Sequence, residues 1–138
     1  GAHHSFAAEF KMDSVVEIEG RVTDLDWVNP HIKFQIAGSD GQSWEVEAGP
    51  VNLVSRMGIE KSMLAVGSTL RVRGNPGRDD TKKTLWVSNV LLQNGTELLV
   101  GRRVGVYDRR AADVGEITVT HPFRWLIEMP IPPYSPCV

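Results

Sequence analysis

The sequence is short of several features that would fix a protein class at once. It has one cysteine, Cys137, so no disulfide can form within the chain, and cysteine usage does not indicate the compartment. Aromatic residues make up 7% of the 138 residues, and the formal net charge is −2. Without an excess of positive charge, the chain has no long-range attraction for nucleic acid or an anionic membrane. No apolar run approaches the ~20 residues of a membrane-spanning helix.

What remains is the composition of one globular domain. Hydrophobic residues account for 41% of the chain, enough for a modest core. Changes in pattern divide the sequence into a His-containing N-terminal segment at 1–14, a β-patterned body at 15–100, and a Pro-rich C-terminal arm at 101–138. Proline removes backbone donors, so we expect the arm to be extended. Two interpretations of the arm stay open: it packs on its own barrel, or it reaches a partner chain.

The body alternates apolar and polar residues with the period of a β-strand. In the first strand the apolar residues are even-numbered through Val22, but odd-numbered at Leu25 and Trp27. Because side chains alternate strictly between the two faces, this slip predicts a bulge near Thr23–Asp24. Gly20, inside the same strand, predicts a sharp bend or a close approach of another backbone.

Five more strands follow from the same alternation, and a short helix from Pro50 to Gly58 separates the third strand from the fourth. The strands are expected at 31–36, 43–48, 69–74, 84–92 and 96–100. This order predicts an all-β protein: a small OB-like barrel of five to six strands, with one short helix between strands three and four. An open β-sandwich is the alternative, since periodicity does not separate the two.

The outward face of strands two and three argues against nucleic-acid binding. OB domains that bind single strands place aromatic and basic side chains there. Here the face has no aromatic ring and two acids. Its residues are His31, Lys33, Gln35, Ser43, Glu45 and Glu47.

Three of the four histidines fall in two short segments. His3 and His4 stand near the start of the sequence, and His31 follows the Asn29-Pro30 corner, with strand alternation turning it away from the core. Imidazole is a ligand that copper and zinc favour in proteins. We therefore predict a metal site, with copper as the cofactor, built from His3, His4 and His31. If Gly1 is the mature start, Gly1-Ala2-His3 alone matches the amino-terminal Cu(II) motif.

Four residues near His31 complete the predicted binding site: Trp27, Asn29, Glu45 and Glu47. An indole can stack a ligand, and outward carboxylates beside an imidazole suit a mixed nitrogen and oxygen metal site. Structural roles compete with these functions, since Trp27, like Trp44 and Trp86, can fill the core or the barrel mouth. The carboxylates can equally pair across strands with lysine. Catalysis by His31 with Glu45 as an acid–base pair has no supporting motif.

The start His3-His4-Ser5-Phe6 and the segment Trp27-Val28-Asn29-Pro30-His31 resemble a family of small, uncharacterised, exported bacterial proteins. The resemblance covers about residues 3–100 and continues through Trp44–Glu47, Ala48–Pro50 and Gly58. It implies an OB-like barrel, a periplasmic or secreted location, and no established activity. Family members tend to end near residue 100, so the arm at 101–138 is an addition.

We therefore expect an exported binding protein that holds copper or another transition metal. The alternative is a non-catalytic OB-like subunit that assembles with itself or with a partner protein through the arm at 101–138.

Overall fold

The computed structural model describes residues 6–101 and 104–108, except the side chains of Phe6 and Asp108. His3 and His4 lie outside the described residues, and so do His121, Cys137 and the arm beyond Asp108. Within the described part of the chain, no helix is long and apolar enough to cross a membrane.

Strands dominate the described chain, with two short α-helices and one 3₁₀ turn between them. In chain order the elements are α1 (Phe6–Glu9), β1 (Val16–Asp26), β2 (Lys33–Gly38), β3 (Ser43–Glu47), α2 (Val51–Arg56), the 3₁₀ turn (Lys61–Leu64), β4 (Thr69–Pro76), β5 (Thr84–Leu92), β6 (Thr96–Val100) and β7 (Val104–Asp108).

The strands form one sheet that closes on itself. Their order is β3-β2-β1-β4-β5-β6-β7, and the first residues of β5, Thr84–Trp86, also pair in parallel with β3. Five strands, β1 to β5, therefore make a closed barrel, while β6 and β7 extend the sheet from the second half of β5. The predicted all-β small barrel is confirmed, with its short helix α2 between β3 and β4.

The core fills the interior of the barrel and continues along the inner side of β6 and β7, with alternate apolar residues from every strand. Phe34, Ile36 and Leu85 are among the largest of its fully buried side chains. Val54 of α2 and Leu64 of the 3₁₀ turn add to the same cluster from between β3 and β4. Each such side chain contributes about 1.5–3 kcal/mol on burial, so the helix is held mainly by packing.

Both features predicted for the first strand are confirmed. The pairing of β1 with β2 shifts by one residue between Val22 and Asp24, which is the predicted bulge. At Gly20 the backbones approach so closely that a Cβ would collide with the Ala37 carbonyl oxygen and the Ile36 side chain. Together the bulge and the glycine let one strand of 11 residues bend around the barrel.

A second bulge lies between β4 and β5 and was not predicted. Arg73 pairs with Asn89, but the next residue, Gly74, pairs with Val87, so Ser88 is left out of the register. The parity of β5 changes there: Val87 faces the core before the bulge, and Val90 faces it afterwards.

Several strand bounds differ from the prediction, and one strand was not predicted. β2 begins at Lys33 rather than at His31, and β4 continues to Pro76 rather than ending at Gly74. Val104–Asp108 forms β7, which pairs antiparallel with β6, although the sequence was interpreted there as the start of an extended arm. The strand has five residues and its second residue is Gly105, which weakens the alternation signal.

Asp40, in the turn between β2 and β3, accepts two hydrogen bonds. The backbone N–H of Gln42 donates to its Oδ1 at 3.0 Å, and Trp44 Nε1–H donates to its Oδ2 at 3.0 Å. These bonds, first that of Gln42 and then that of Trp44, hold the pKa of Asp40 below its ordinary value of 3.8. Because the pKa is lower in the folded chain, ionised Asp40 stabilises the fold above the ordinary pKa, and this contribution is lost as the pH falls through the folded pKa.

We predict that Trp44→Phe raises the pKa of Asp40 only part of the way to 3.8, because the Gln42 N–H, the larger cause, remains. An NMR titration of the carboxyl carbons measures this directly. Asp79 is the internal control, since its pKa is lowered by hydrogen bonds from Thr81 and should not change. An Asp40 pKa that does not move in the variant contradicts the role of the indole N–H.

Candidate functional site

The segment before β1 is tied to the end of β4. The backbone N–H of Lys11 donates to the Pro76 carbonyl at 2.8 Å, and that of Arg78 donates to the Glu9 carbonyl at 2.9 Å. Between these two bonds, Phe10 forms a β-bridge with Gly77. Arg78 also donates through Nε to the Ala7 carbonyl at 2.7 Å, so α1 is held to the same strand end.

Asn75 strengthens this attachment from inside β4. Its side-chain amide donates to the Ser14 carbonyl at 2.8 Å and lies 3.4 Å and 3.5 Å from the carbonyls of Lys11 and Met12. Lys11 in turn forms an ion pair with Asp80 at 3.2 Å. The position of residues 7–14 on the barrel is therefore set by several independent bonds.

One indole connects this segment with His31. Trp86 points outward from β5, because its neighbours Leu85 and Val87 face the core. Its ring contacts Phe10, with ring centroids 6.0 Å apart, and His31, with centroids 5.3 Å apart in an edge-to-face arrangement. Phe10 is 4% exposed, although it lies on the outside of the barrel.

The backbone around His31 is fixed by two hydrogen bonds to the end of β3. A cis peptide bond joins Asn29 to Pro30 in the loop after β1. Two residues after Pro30, the backbone N–H of Ile32 donates to the Gly49 carbonyl at 3.2 Å. The Ile32 carbonyl accepts from the Ala48 N–H at 2.8 Å. His31 therefore lies just before β2, beside the residues that follow β3.

The carboxylate that meets His31 is Glu47, the last residue of β3. His31 Nδ1 lies 2.8 Å from Glu47 Oε1, and the two side chains are 37% and 17% exposed. An ionised carboxylate only accepts hydrogen bonds, so this contact favours the tautomer that carries its proton on Nδ1. Nε2 then has the lone pair, and the ring orientation is set by Glu47.

The other predicted site residues have different surroundings. Glu45 lies 4.0 Å from Lys33 Nζ and accepts from Gln35 Nε2 at 3.5 Å, in the cross-strand pairing given as the structural alternative. Trp27 is half-buried and packs against the core cluster, while Asn29 is exposed. Of the two predicted acids, Glu47 is the one brought to the imidazole.

Within residues 6–101 and 104–108, no three His, Cys, Asp or Glu side chains come together as a metal site. His31 and Glu47 provide two suitable groups. The predicted partners His3 and His4 lie outside the described residues, so the three-histidine site stays a prediction.

Trp86 and Phe10 were not predicted as parts of the site. The signal for Trp86 was available, because strand alternation with buried Leu85 and Val87 turns residue 86 outward. No sequence pattern placed Phe10 on the same indole, since that contact joins positions 76 residues apart.

We predict a coupling free energy of about 0.2–1 kcal/mol between His31 and Glu47 in a double-mutant cycle with alanine, measured by urea unfolding at pH 7. The control is the cycle for Lys33 and Glu45, a longer pair at 4.0 Å whose side chains are 48% and 41% exposed. We expect its coupling to be close to zero, because exposed pairs at that distance are screened. Equal couplings for the two pairs contradict the prediction.

Two comparisons with known proteins bear on the identity of the chain. A family model described as a family of unknown function (DUF6152) matches residues 1–86, more than half of the chain. No curated protein matches the chain significantly.

Proposed function

The chain belongs to this family of unknown function, and because membership assigns no activity, we propose from the site itself that the protein is an exported binding protein for copper or another transition metal. In this proposal His31 and the N-terminal residues His3 and His4 supply the imidazole ligands, and Glu47 orients the ring of His31. The observation that carries the proposal is the contact of one indole, Trp86, with both His31 and Phe10.

The contacts of Trp86 with Phe10 and with His31 support a site in which the N-terminal histidines meet His31. The indole anchors the N-terminal segment beside His31, and the bonds from Asn75 and Arg78 hold that segment in place. His3 and His4 precede the first residue of α1, Phe6, by three and two positions. A stretch of three residues spans at most about 10 Å, so this proposal needs both histidines to extend only a short distance from the start of α1.

The pair of His31 and Glu47 supports a metal-binding role for the imidazole. Histidine ligands in metalloproteins commonly donate their second ring N–H to a carboxylate, which fixes the tautomer and raises the basicity of the ligating nitrogen. With Nδ1 directed to Glu47, the metal ligand in this proposal is Nε2. Copper is the metal of choice because imidazole nitrogen binds it strongly among the divalent first-row ions.

The location is part of the same proposal. The resemblance of the His-His-Ser-Phe and Trp-x-Asn-Pro-His segments to exported proteins supports a periplasmic or secreted protein. Fractionation of cells that express the full gene tests this point separately from metal binding.

We predict that the protein with its authentic amino terminus binds one Cu(II), measured by calorimetric titration with the metal alone. His31→Ala should lower the affinity at least tenfold, because a ligand is lost, and Glu47→Gln should lower it by about 10–100-fold through the orientation of that ligand. Glu45→Gln is the matched control and should leave the affinity unchanged, because its contacts are with Lys33 and Gln35.

If the His31→Ala variant binds Cu(II) with the affinity of the wild type, the three-histidine site is contradicted. Binding would then belong to the amino terminus alone, through the Gly1-Ala2-His3 motif. Electron paramagnetic resonance identifies that case, since the motif gives a square-planar set of four nitrogens.

A second candidate function is supported by the edge of the sheet. In the described part of the chain β7 pairs with β6 and stands last in the strand order. Backbone donors and acceptors on an edge strand can pair with a strand of another chain. The protein would then be a non-catalytic subunit that assembles through residues 101–138.

We predict for this second function that light scattering of the full chain gives the mass of an oligomer, or that a partner co-purifies. A chain without residues 101–138 lacks β7 and the arm, so its mass should be that of a monomer. A monomeric wild type without any partner contradicts assembly.

A further inference from the structure

The outward faces of the barrel differ in their exposure. On β1, outward-facing Glu17 and Glu19 are exposed, as is usual for the solvent side of an antiparallel sheet. On β5 and β6, by contrast, several side chains that are not part of the core cluster are buried. Asn89 and Glu97 are 0% exposed, and Leu99 is 4% exposed.

The register proves that these buried side chains face away from the core. Val90 pairs with Leu98, and both belong to the core cluster. The flanking pairs, Asn89 with Leu99 and Leu91 with Glu97, must therefore lie on the opposite side of the sheet. We call this surface the outer β5–β7 face; it consists of Asn89, Leu91, Glu97, Leu99, Gly105 and Tyr107.

The chemistry of the face is that of an interior, not of a solvated surface. Asn89 Nδ2 donates to Glu97 Oε2 at 2.8 Å, and Ser88 Oγ donates to Asn89 Oδ1 at 2.7 Å. The ring of Tyr107 lies over Gly105, where a Cβ would be 2.9 Å from its Cε2 atom. A single sheet cannot shield its own outward side chains completely, so burial of a carboxylate and a leucine requires a further layer above them.

We propose that residues 109–138 of the same chain are this layer and dock on the outer β5–β7 face. The last described residue, Asp108, ends β7, which forms the edge of the face, so the 30 residues from 109 to 138 begin beside it. A few extended residues, at about 3.3 Å each, are enough to cross three strands.

The composition of residues 109–138 complements the face. It contains aromatic residues that suit contact with Leu91 and Leu99, namely Phe123 and Trp125. It also contains arginines that suit a buried carboxylate such as Glu97, namely Arg109, Arg110 and Arg124. This docking does not depend on the proposed metal site, which lies on the outward side of β2, β3 and the first half of β5.

The test is trypsin cleavage after Arg124 in the full chain, followed by mass spectrometry at early times. A docked segment is cut only when it opens, so we expect cleavage at least about tenfold slower than in a free peptide of residues 109–138. Leu99→Glu puts a charge into the face and should accelerate cleavage about tenfold. Ala37→Glu is the control at an exposed outward position of β2, and should leave the rate within about twofold.

Circular dichroism establishes that each variant is folded. If Leu99→Glu does not fold, Glu97→Gln is used as the test variant. It removes the charge of Glu97 and keeps the shape of the side chain, and it should still accelerate cleavage several-fold. The protection should not vary with protein concentration, because docking within one chain is unimolecular.

Three results would overturn the proposal. The first is cleavage of the wild type at the rate of the free peptide. The second is equal rates in the folded face variant and the Ala37→Glu control. The third is protection that rises with protein concentration, which would assign the face to a second copy of the chain.

Discussion

Closure of the barrel by the parallel pairing of β3 with β5 is the constraint on which the rest of the molecule depends. The pairing joins Val46 to Leu85 on the inside and Glu47 to Trp86 at the next position. The inner pair completes the core, and the outer pair places a carboxylate beside an indole. His31, delivered by the loop before β2, meets both side chains of that outer pair. The site is thus a direct product of the closure, because Glu47 and Trp86 are 39 positions apart in the sequence and come from strands separated by α2 and β4.

The position of the N-terminal segment depends indirectly on the same barrel closure. Trp86 is presented on the outside of the barrel only when β5 is held between β3 and β4. Phe10 then buries itself against the indole, and Asn75 of β4 binds the carbonyls that follow. A hydrophobic contact and a set of backbone hydrogen bonds therefore fix one segment from two neighbouring strands. Neither would hold a segment of this length alone, because ordering each residue costs about 1–2 kcal/mol of conformational entropy.

The strands were predictable where the local alternation of apolar and polar residues is strong. The bulge after Val22, the close approach at Gly20, and the bounds of β5 and β6 all follow from the parity of apolar residues and from glycine. β7 was missed, because five residues that include a glycine carry too little alternation. In the site, the outward direction of His31 followed from the sequence, but its partner did not. The choice of Glu47 over Glu45 depends on where β2 begins and on how β3 pairs, which local patterns do not encode.

Ser88 has no partner residue in the pairing of β4 with β5, and the two parts of β5 on either side of it contact different neighbours. Before it, the strand shows Trp86 to the N-terminal segment and His31; after it, the same strand shows Asn89 to the outer β5–β7 face. The extra residue resets the alternation, so that Trp86 before it and Asn89 after it both lie on the outward side of the sheet. A one-residue deletion at Ser88 would therefore keep Asn89 on the outward side and Val90 in the core, because it removes the residue that the pairing of β4 with β5 leaves out. A one-residue deletion among relatives should therefore be better tolerated at Ser88 than near either end of β5, where it would exchange inward and outward side chains.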